Sequence, residues 1–323
     1  MKRVFSGARP TGRQHLGNYL GAIQNYVKLQ EEYECVYCIV DIHALTTITD
    51  TSKIQYNIRE MLLDWLAAGL DPQKSILFVQ SYVPEVTELH TFFSMVTPLG
   101  WLLRVPTFKE KARMQPENIN YGLVGYPVLM AADITLYKAE VVPVGEDQLP
   151  HLEITREIVR RFNSLFGETF PEPVAKLSYF PNVLGLDGKE KMSKSLDNHI
   201  ELALTPEETT KKIMSAVTDP ARQRRNDTGH PEVCNVYKLH EYFNAAQKDE
   251  IAGKCRTAQI GCVDCKRLLA ERINEYLAPF RDRRAKLASN PVYIQEVLED
   301  GAKRAQVIAR QTIKEVKLKM GLL

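Results

Sequence analysis

Over the first two-thirds of the chain, short apolar runs alternate with longer segments of helical periodicity. Val4 and Phe5 begin a strand that breaks at the turn residues Ser6, Gly7, Pro10 and Gly12. Leu16, Leu20, Ile23 and Val27 then recur at helical spacing, with Gln24, Lys28 and Glu31 on the other side. Cys35 to Ile42, interrupted only by Asp41, suits a strand buried on both faces of a parallel sheet. Ser52 is placed to cap a helix carrying Ile54, Ile58, Leu62 and Trp65, and a second buried strand, Ile76 to Val79, follows the turn at Asp71 and Pro72. Ala139 to Val144 reads as another strand. Gly145 then opens a helix with Glu146 and Asp147 in its first turn, where the dipole favours negative charge.

Repeated β-α units predict an α/β fold with a Rossmann-like, doubly wound parallel sheet, whose ligand site lies at the carboxyl ends of the strands. Strand signals stop after about Leu196. Pro206 to Val217, Asp264 to Tyr276 and Val292 to Met320 are amphipathic and rich in Lys, Arg and Glu, so a second, all-helical domain is expected. The length of 323 residues fits two hydrophobic cores better than one.

With 42 basic against 40 acidic side chains, 44% apolar and 25% charged residues, disordered, collagen-like and highly charged classes are excluded. A net charge of +2 leaves any polyanion site to a local basic patch. The apolar run Tyr121 to Ala132 contains Pro127 and stops at Asp133, so no membrane span is expected. The amino end lacks an apolar signal core, which predicts a cytoplasmic protein whose six cysteines are reduced or metal-bound.

Two segments carry candidate chemistry. Ser6 to Asn18 is a glycine-rich turn running from a strand into a helix start, where free N–H groups suit phosphate and where His15 and Asn18 add neutral donors. Lys191-Met192-Ser193-Lys194-Ser195 follows the turn Gly185 to Gly188, and its two lysines can grip a polyphosphate on a mobile loop. Each segment alone also fits an ordinary turn or a solvated charge run.

Together they resemble a known family. His15-Leu16-Gly17-Asn18 is similar to the HIGH signature, and Lys191 to Ser195 matches the KMSKS signature, of class I aminoacyl-tRNA synthetases. Phe5-Ser6-Gly7, Val40 to Ala44, Phe108 to Lys111, Tyr126 to Asp133 and Val144 to Gln148 resemble the tryptophanyl-tRNA synthetases within that class. The resemblance implies activation of L-tryptophan with Mg2+-bound ATP, then transfer to a tRNA. Residues 1–190 would be the catalytic domain, 191–290 the lysine loop with a helical anticodon-binding domain, and 291–323 a helix packing back on the body.

By resemblance, His15, Asn18, Lys111, Lys191 and Lys194 are the catalytic residues. Ser6, Gly7, Arg9, Gly17, Gly145, Asp147, Met192 and Ser193 join them in holding ATP. Phe5, His43, Tyr126, Met130, Val142 and Gln148 shape the amino-acid site, and Asp133 would accept the indole N–H. Arg9 and Asn18 depart from the Gln and the second His of other class members, and Asn18 cannot become cationic. The resemblance also implies a homodimer, for which Pro84 to Leu103, with Phe92, Phe93, Met95, Leu99 and Trp101, supplies an apolar stretch. Tyrosyl-tRNA synthetase, a small-molecule adenylyltransferase and a non-catalytic RNA-binding paralogue are the competing readings.

Cys234, Cys255, Cys262 and Cys265 form a C-x20-C-x6-C-x2-C series. Four thiolates can hold zinc or a cluster, or stand unliganded. The segment Ile260 to Lys266 resembles that of the tryptophanyl-tRNA synthetases that hold a [4Fe-4S] cluster, which would be structural here. Arg222, Arg224, Arg225, Lys254, Arg256, Lys266 and Arg267 make a dense basic neighbourhood suited to RNA phosphates.

Overall fold

The computed structural model describes residues 1–114, 116–177 and 183–323, apart from the side chains of Thr107, Lys111 and Met114. Five strands, β1 (Arg3–Ala8), β2 (Glu34–Ile39), β3 (Ser75–Val79), β4 (Val141–Val144) and β5 (Val174–Leu177), form one parallel sheet in the order β3-β2-β1-β4-β5. Alternation along β2 divides the core. Cys35, Tyr37 and Ile39 meet Ile58, Leu62 and Trp65 of the helix Ile54–Ala68 on one face. Val36 and Cys38 meet Phe93, Val128, Ile134 and Phe162 on the other. Such two-sided burial is why β2 reads as an unbroken apolar run.

The strand order reverses between β1 and β4, the position at which an open α/β sheet leaves a crevice beyond its strand ends. Helix Pro291–Lys319 covers the exposed edge of β3. It sends Ile294 and Leu298 to one face of the sheet and Ala305, Ala309 and Ile313 to the other. Gly301 lies where it crosses the strand, so close that a Cβ there would overlap the Leu77 carbonyl.

After β5 the described residues form helices and turns, with isolated bridges at Leu184 and Lys191 and at Glu201 and His15. A third core gathers Ile213, Val236, Leu239, Leu269 and Ile273 with Leu16, Ala67 and Met192. Helix Cys262–Ala288 runs for 27 residues, well past the expected Asp264 to Tyr276.

Several local expectations change. β2 ends at Ile39, and Asp41–Ala44 is helical, with the Asp41 carboxylate accepting from the Ile42 amide at 3.0 Å and from the Ser81 hydroxyl at 2.5 Å. Ser52 is not a cap: Lys53 holds that position without a side-chain bond, and the Ser52 amide donates to Asp50 instead. The first helix breaks into α (Leu16–Asn18), π (Tyr19–Ile23) and α (Gln24–Leu29) segments. Gly145 precedes a 3-10 turn, Glu146–Gln148, before the α-helix Leu149–Phe166 begins. Phe93 is fully buried in the sheet core and is no interface residue.

Candidate active site

A cavity of about 360 Å3 opens at the switch point, between Phe5, Ser6 and Gly7 at the end of β1 and Val142, Val144 and Gly145 at the end of β4. The helix Tyr121–Leu136 supplies its far wall through Tyr126, Met130 and Asp133, while His43, Arg9 and Gln148 complete the lining. All seven residues expected around the amino acid therefore meet in one apolar space. Of the expected ATP residues, Ser6, Gly7, Arg9 and Gly145 share it.

Asp133 is the anomaly of this cavity, a carboxylate only 2% exposed within a largely apolar helix. Burying it requires partners. Gln80 donates its amide to both carboxylate oxygens at 2.8 Å, and His43 Nε2 lies 2.8 Å from Oδ2. Gln80 is itself buried, and its Oε1 accepts the His43 backbone amide at 3.2 Å. A carboxylate has about four acceptor sites, so capacity remains for one more donor from the cavity. Gln80 escaped sequence reasoning because it sits past a strand end, where nothing in the pattern distinguishes it from a turn residue. Tyr126 bonds its hydroxyl to His151 Nε2 at 2.7 Å, which fixes the ring at the cavity wall.

His15 caps the helix that leaves the glycine-rich turn. Its Nδ1 accepts the Asn18 amide at 3.3 Å, and Asn18 Oδ1 accepts the His15 amide at 3.2 Å. A ring accepting through Nδ1 carries its proton on Nε2, which remains as a neutral donor. Burial first, then His199 and Lys194, push its pKa down to about 4. His15 thus stays uncharged through the working range. From about pH 6 to about pH 9, the pH profiles of wild type and His15→Asn should have the same shape even though the variant is slower. A side chain at Gly17 would be crowded, because its Cβ would stand 3.1 Å from the His15 ring and 3.3 Å from Met192, and the ring would have to give by a few tenths of an ångström.

The lysine loop closes on this turn. Lys194 Nζ donates to the Thr11 carbonyl at 2.5 Å, and burial lowers its pKa from the ordinary lysine value. Asn198 shapes the loop, accepting the Ser193 amide at 2.7 Å while its side-chain amide donates to Asp187 at 2.8 Å. Met192 is 5% exposed within the third core, so its side chain anchors the loop and is not offered to a ligand. Lys191 is exposed. Lys111 belongs to the helix Pro106–Met114, and its side chain lies outside the described residues. Asp147 bonds to the Gln148 amide and does not line the cavity.

In the helical half, the thiol of Cys265 lies within electrostatic reach of those of Cys234, Cys255 and Cys262, and burial raises its pKa to about 12. Arg222 is buried with Nη1 3.7 Å from Cys255 Sγ, and its Nε has no hydrogen-bond partner. A Cβ at Gly229 would overlap Cys255 Sγ. Among the described residues no three His, Cys, Asp or Glu side chains are grouped as ligands of one metal ion. Part of the basic neighbourhood is locally matched: Arg256 pairs with Glu232, Lys254 with Glu250 and Arg267 with Asp264. Arg224 and Arg225 are exposed.

A family model described as tRNA synthetases class I (W and Y) matches residues 1–278. The chain belongs to the class I tRNA synthetases. Among relatives in this family, the tryptophan–tRNA ligase of Thermotoga maritima is 47% identical over 327 residues, covering 99% of each chain. That of Aquifex aeolicus is 41% identical over 394 residues, covering 99% of this chain and 100% of the relative. The crystal structure of a class I synthetase from Campylobacter jejuni, tryptophanyl-tRNA synthetase complexed with ADP and tryptophan, superposes with a TM-score of 0.91 at 36% identity, covering 99% and 100%.

Proposed function

We propose that this class I synthetase activates L-tryptophan with ATP and transfers it to the 3′ end of the matching tRNA. The observation that carries the choice of amino acid is Asp133, a buried carboxylate facing an apolar cavity at the sheet's switch point. Met130 gives a flat ring a polarizable wall, and Asp133 accepts the one N–H that indole has and phenyl lacks. A partner left unpaired by the wrong ligand discriminates better than pocket size alone.

The tryptophan carboxylate attacks the α-phosphorus of ATP. An oxygen–phosphorus bond forms, the bond to the β-phosphate bridge breaks, and pyrophosphate leaves with that electron pair. Catalysis consists of positioning and of stabilising charge on the phosphoryl oxygens. His15 Nε2–H, Asn18, Arg9, Lys111, Lys191 and Lys194 are the groups assigned to that charge, and Lys194 would exchange the Thr11 carbonyl for phosphate. Tyr126 and Gln148 are assigned to the α-amino group. Mg2+ enters with ATP, held by phosphate and water. A tRNA ribose hydroxyl then displaces AMP from the adenylate.

ATP–pyrophosphate exchange tests this directly. Tryptophan should support exchange about 10⁴-fold better than phenylalanine, judged by kcat/KM. Preference for tyrosine would transfer the assignment to the rival synthetase.

The helical half is assigned to anticodon binding, with its boundary near residue 190 and with Arg224 and Arg225 offered to RNA. Cys234, Cys255, Cys262 and Cys265 would hold a [4Fe-4S] cluster. What supports that reading is that the Cys265 thiol lies within electrostatic reach of the other three and that the buried guanidinium of Arg222, with an unpaired Nε, lies 3.7 Å from Cys255 Sγ, a positive group beside thiolates that would carry negative charge. The cluster would cross-link the helices and take no part in adenylate chemistry. Anaerobically purified protein should contain iron and inorganic sulfide in equal amounts, about four of each per chain. Zinc alone, or neither, refutes the assignment. Met95, Leu99 and Leu103 are exposed on the expected interface stretch, and light scattering should give the mass of two chains. This assignment describes a cytosolic enzyme, and no described helix is long and apolar enough to cross a membrane.

A further inference from the structure

The glycine-rich turn is gripped from the far half of the molecule. The amide of Gln14 donates to Asp64 Oδ2 at 2.5 Å, and Asp64 is completely buried in the helix Ile54–Ala68. Its other oxygen accepts Arg284 Nε at 2.6 Å, and Arg284 comes from the helix Cys262–Ala288. The same guanidinium donates through Nη2 to Glu60 at 2.6 Å, and the oxygen it uses also accepts Arg13 Nε at 2.7 Å. Glu60 and Asp64 stand one helical turn apart, so one face of the helix presents both carboxylates to Arg284.

This arrangement is a costly way to join two helices. Two carboxylates and a guanidinium have left water, and an apolar contact of similar volume would hold the helices at least as well. Burial raises the Asp64 pKa to about 6 in spite of Arg284 and the Gln14 amide. What the network adds over an apolar contact is direction. It fixes one particular amide, in the residue preceding His15, whose ring and cap start the helix at Leu16. Arg283, the neighbour of Arg284, also joins the two helices, through the Ala67 carbonyl at 2.7 Å, but it does not reach the turn.

We propose that Arg284 is a positioning residue for adenylate formation: acting through Asp64, it sets the Gln14 amide, and with it His15, from the helical half. Nothing in the assigned chemistry gives Arg284 contact with a substrate. The helix that carries it begins with Cys262 and Cys265, so the cysteine group and the network that holds the glycine-rich turn share one helix.

The inference rests on the proposed activity, and the test keeps the two apart. The full-length chain is assayed by tryptophan-dependent ATP–pyrophosphate exchange, with thermal melting alongside, for wild type, Arg284→Gln, Arg284→Lys and Arg283→Gln. Arg284→Gln should lower kcat/KM for ATP on the order of 10- to 100-fold, with KM for tryptophan within about twofold of wild type. Arg284→Lys keeps the charge but loses the fork, and should fall between them. Arg283→Gln should lower the melting temperature and leave the ATP constants within about twofold. Wild-type ATP constants in Arg284→Gln, or equal losses in Arg283→Gln, overturn the inference. If only Arg284→Lys folds, wild-type ATP constants in that variant overturn it. Wild type that fails to exchange with tryptophan overturns the functional assignment instead.

Discussion

Replacing Asp133 by Ala should reduce kcat/KM for tryptophan by about 10²- to 10³-fold while the protein stays folded. The loss has two parts. The indole N–H would enter the cavity without an acceptor, and the Gln80 amide and His43, which now converge on the carboxylate at 2.8 Å, would lose their shared partner. A hydrogen bond to a charged group together with the penalty for unpaired buried donors amounts to about 3–4 kcal/mol, which is the stated range of rates. Asp133→Asn should lie between, because an amide can still offer one oxygen to indole but must turn its NH2 toward groups that already donate. Gln80→Leu should raise KM for tryptophan through a misdirected Asp133. Exchange kinetics with varied tryptophan, set beside melting curves, separate loss of recognition from loss of fold.

The second large effect concerns stability alone. Gly301→Ala should lower the melting temperature markedly, at a cost of about 3 kcal/mol or more. The new methyl would occupy the place of the Leu77 carbonyl in β3, and backbone on both sides gives it nowhere to go. The helix Pro291–Lys319 must then lift from the strand edge, pulling Ile294 and Leu298 from one face of the sheet and Ala305 and Ile313 from the other. A neighbouring change on an exposed position, such as Lys303→Ala, should leave the melting temperature unchanged. Denaturant titration with an unchanged m-value would show that the variant loses stability and not compactness.

Where period and burial coincide, the sequence is easy to read. The runs of β2 and β3 are apolar on both faces because helices cover both sides, and Asp133 stands out because a carboxylate inside an apolar helix demands a partner. The seven residues expected around the amino acid were legible through family resemblance, and the folded chain brings them into one cavity. The partners were hidden. Gln80, Asn198, Asp64 and Arg284 act by contacts across 53, 11 and 50 to 220 positions of chain, which no local pattern encodes. Ser52 misled for the opposite reason: it has cap chemistry in a cap-like place, but its amide is claimed by Asp50. Met192 belongs to a signature and yet packs as core, since a motif records a position and does not say which atoms face the ligand.

The claim on which the amino-acid assignment depends is that Asp133 receives the indole proton. A crystal structure of the wild-type chain with bound tryptophan measures it. The indole nitrogen should lie within about 3 Å of an Asp133 oxygen, with Gln80 still bonded to the carboxylate and Met130 against the ring. An indole nitrogen bonded elsewhere, with Asp133 held only by Gln80 and His43, would contradict it.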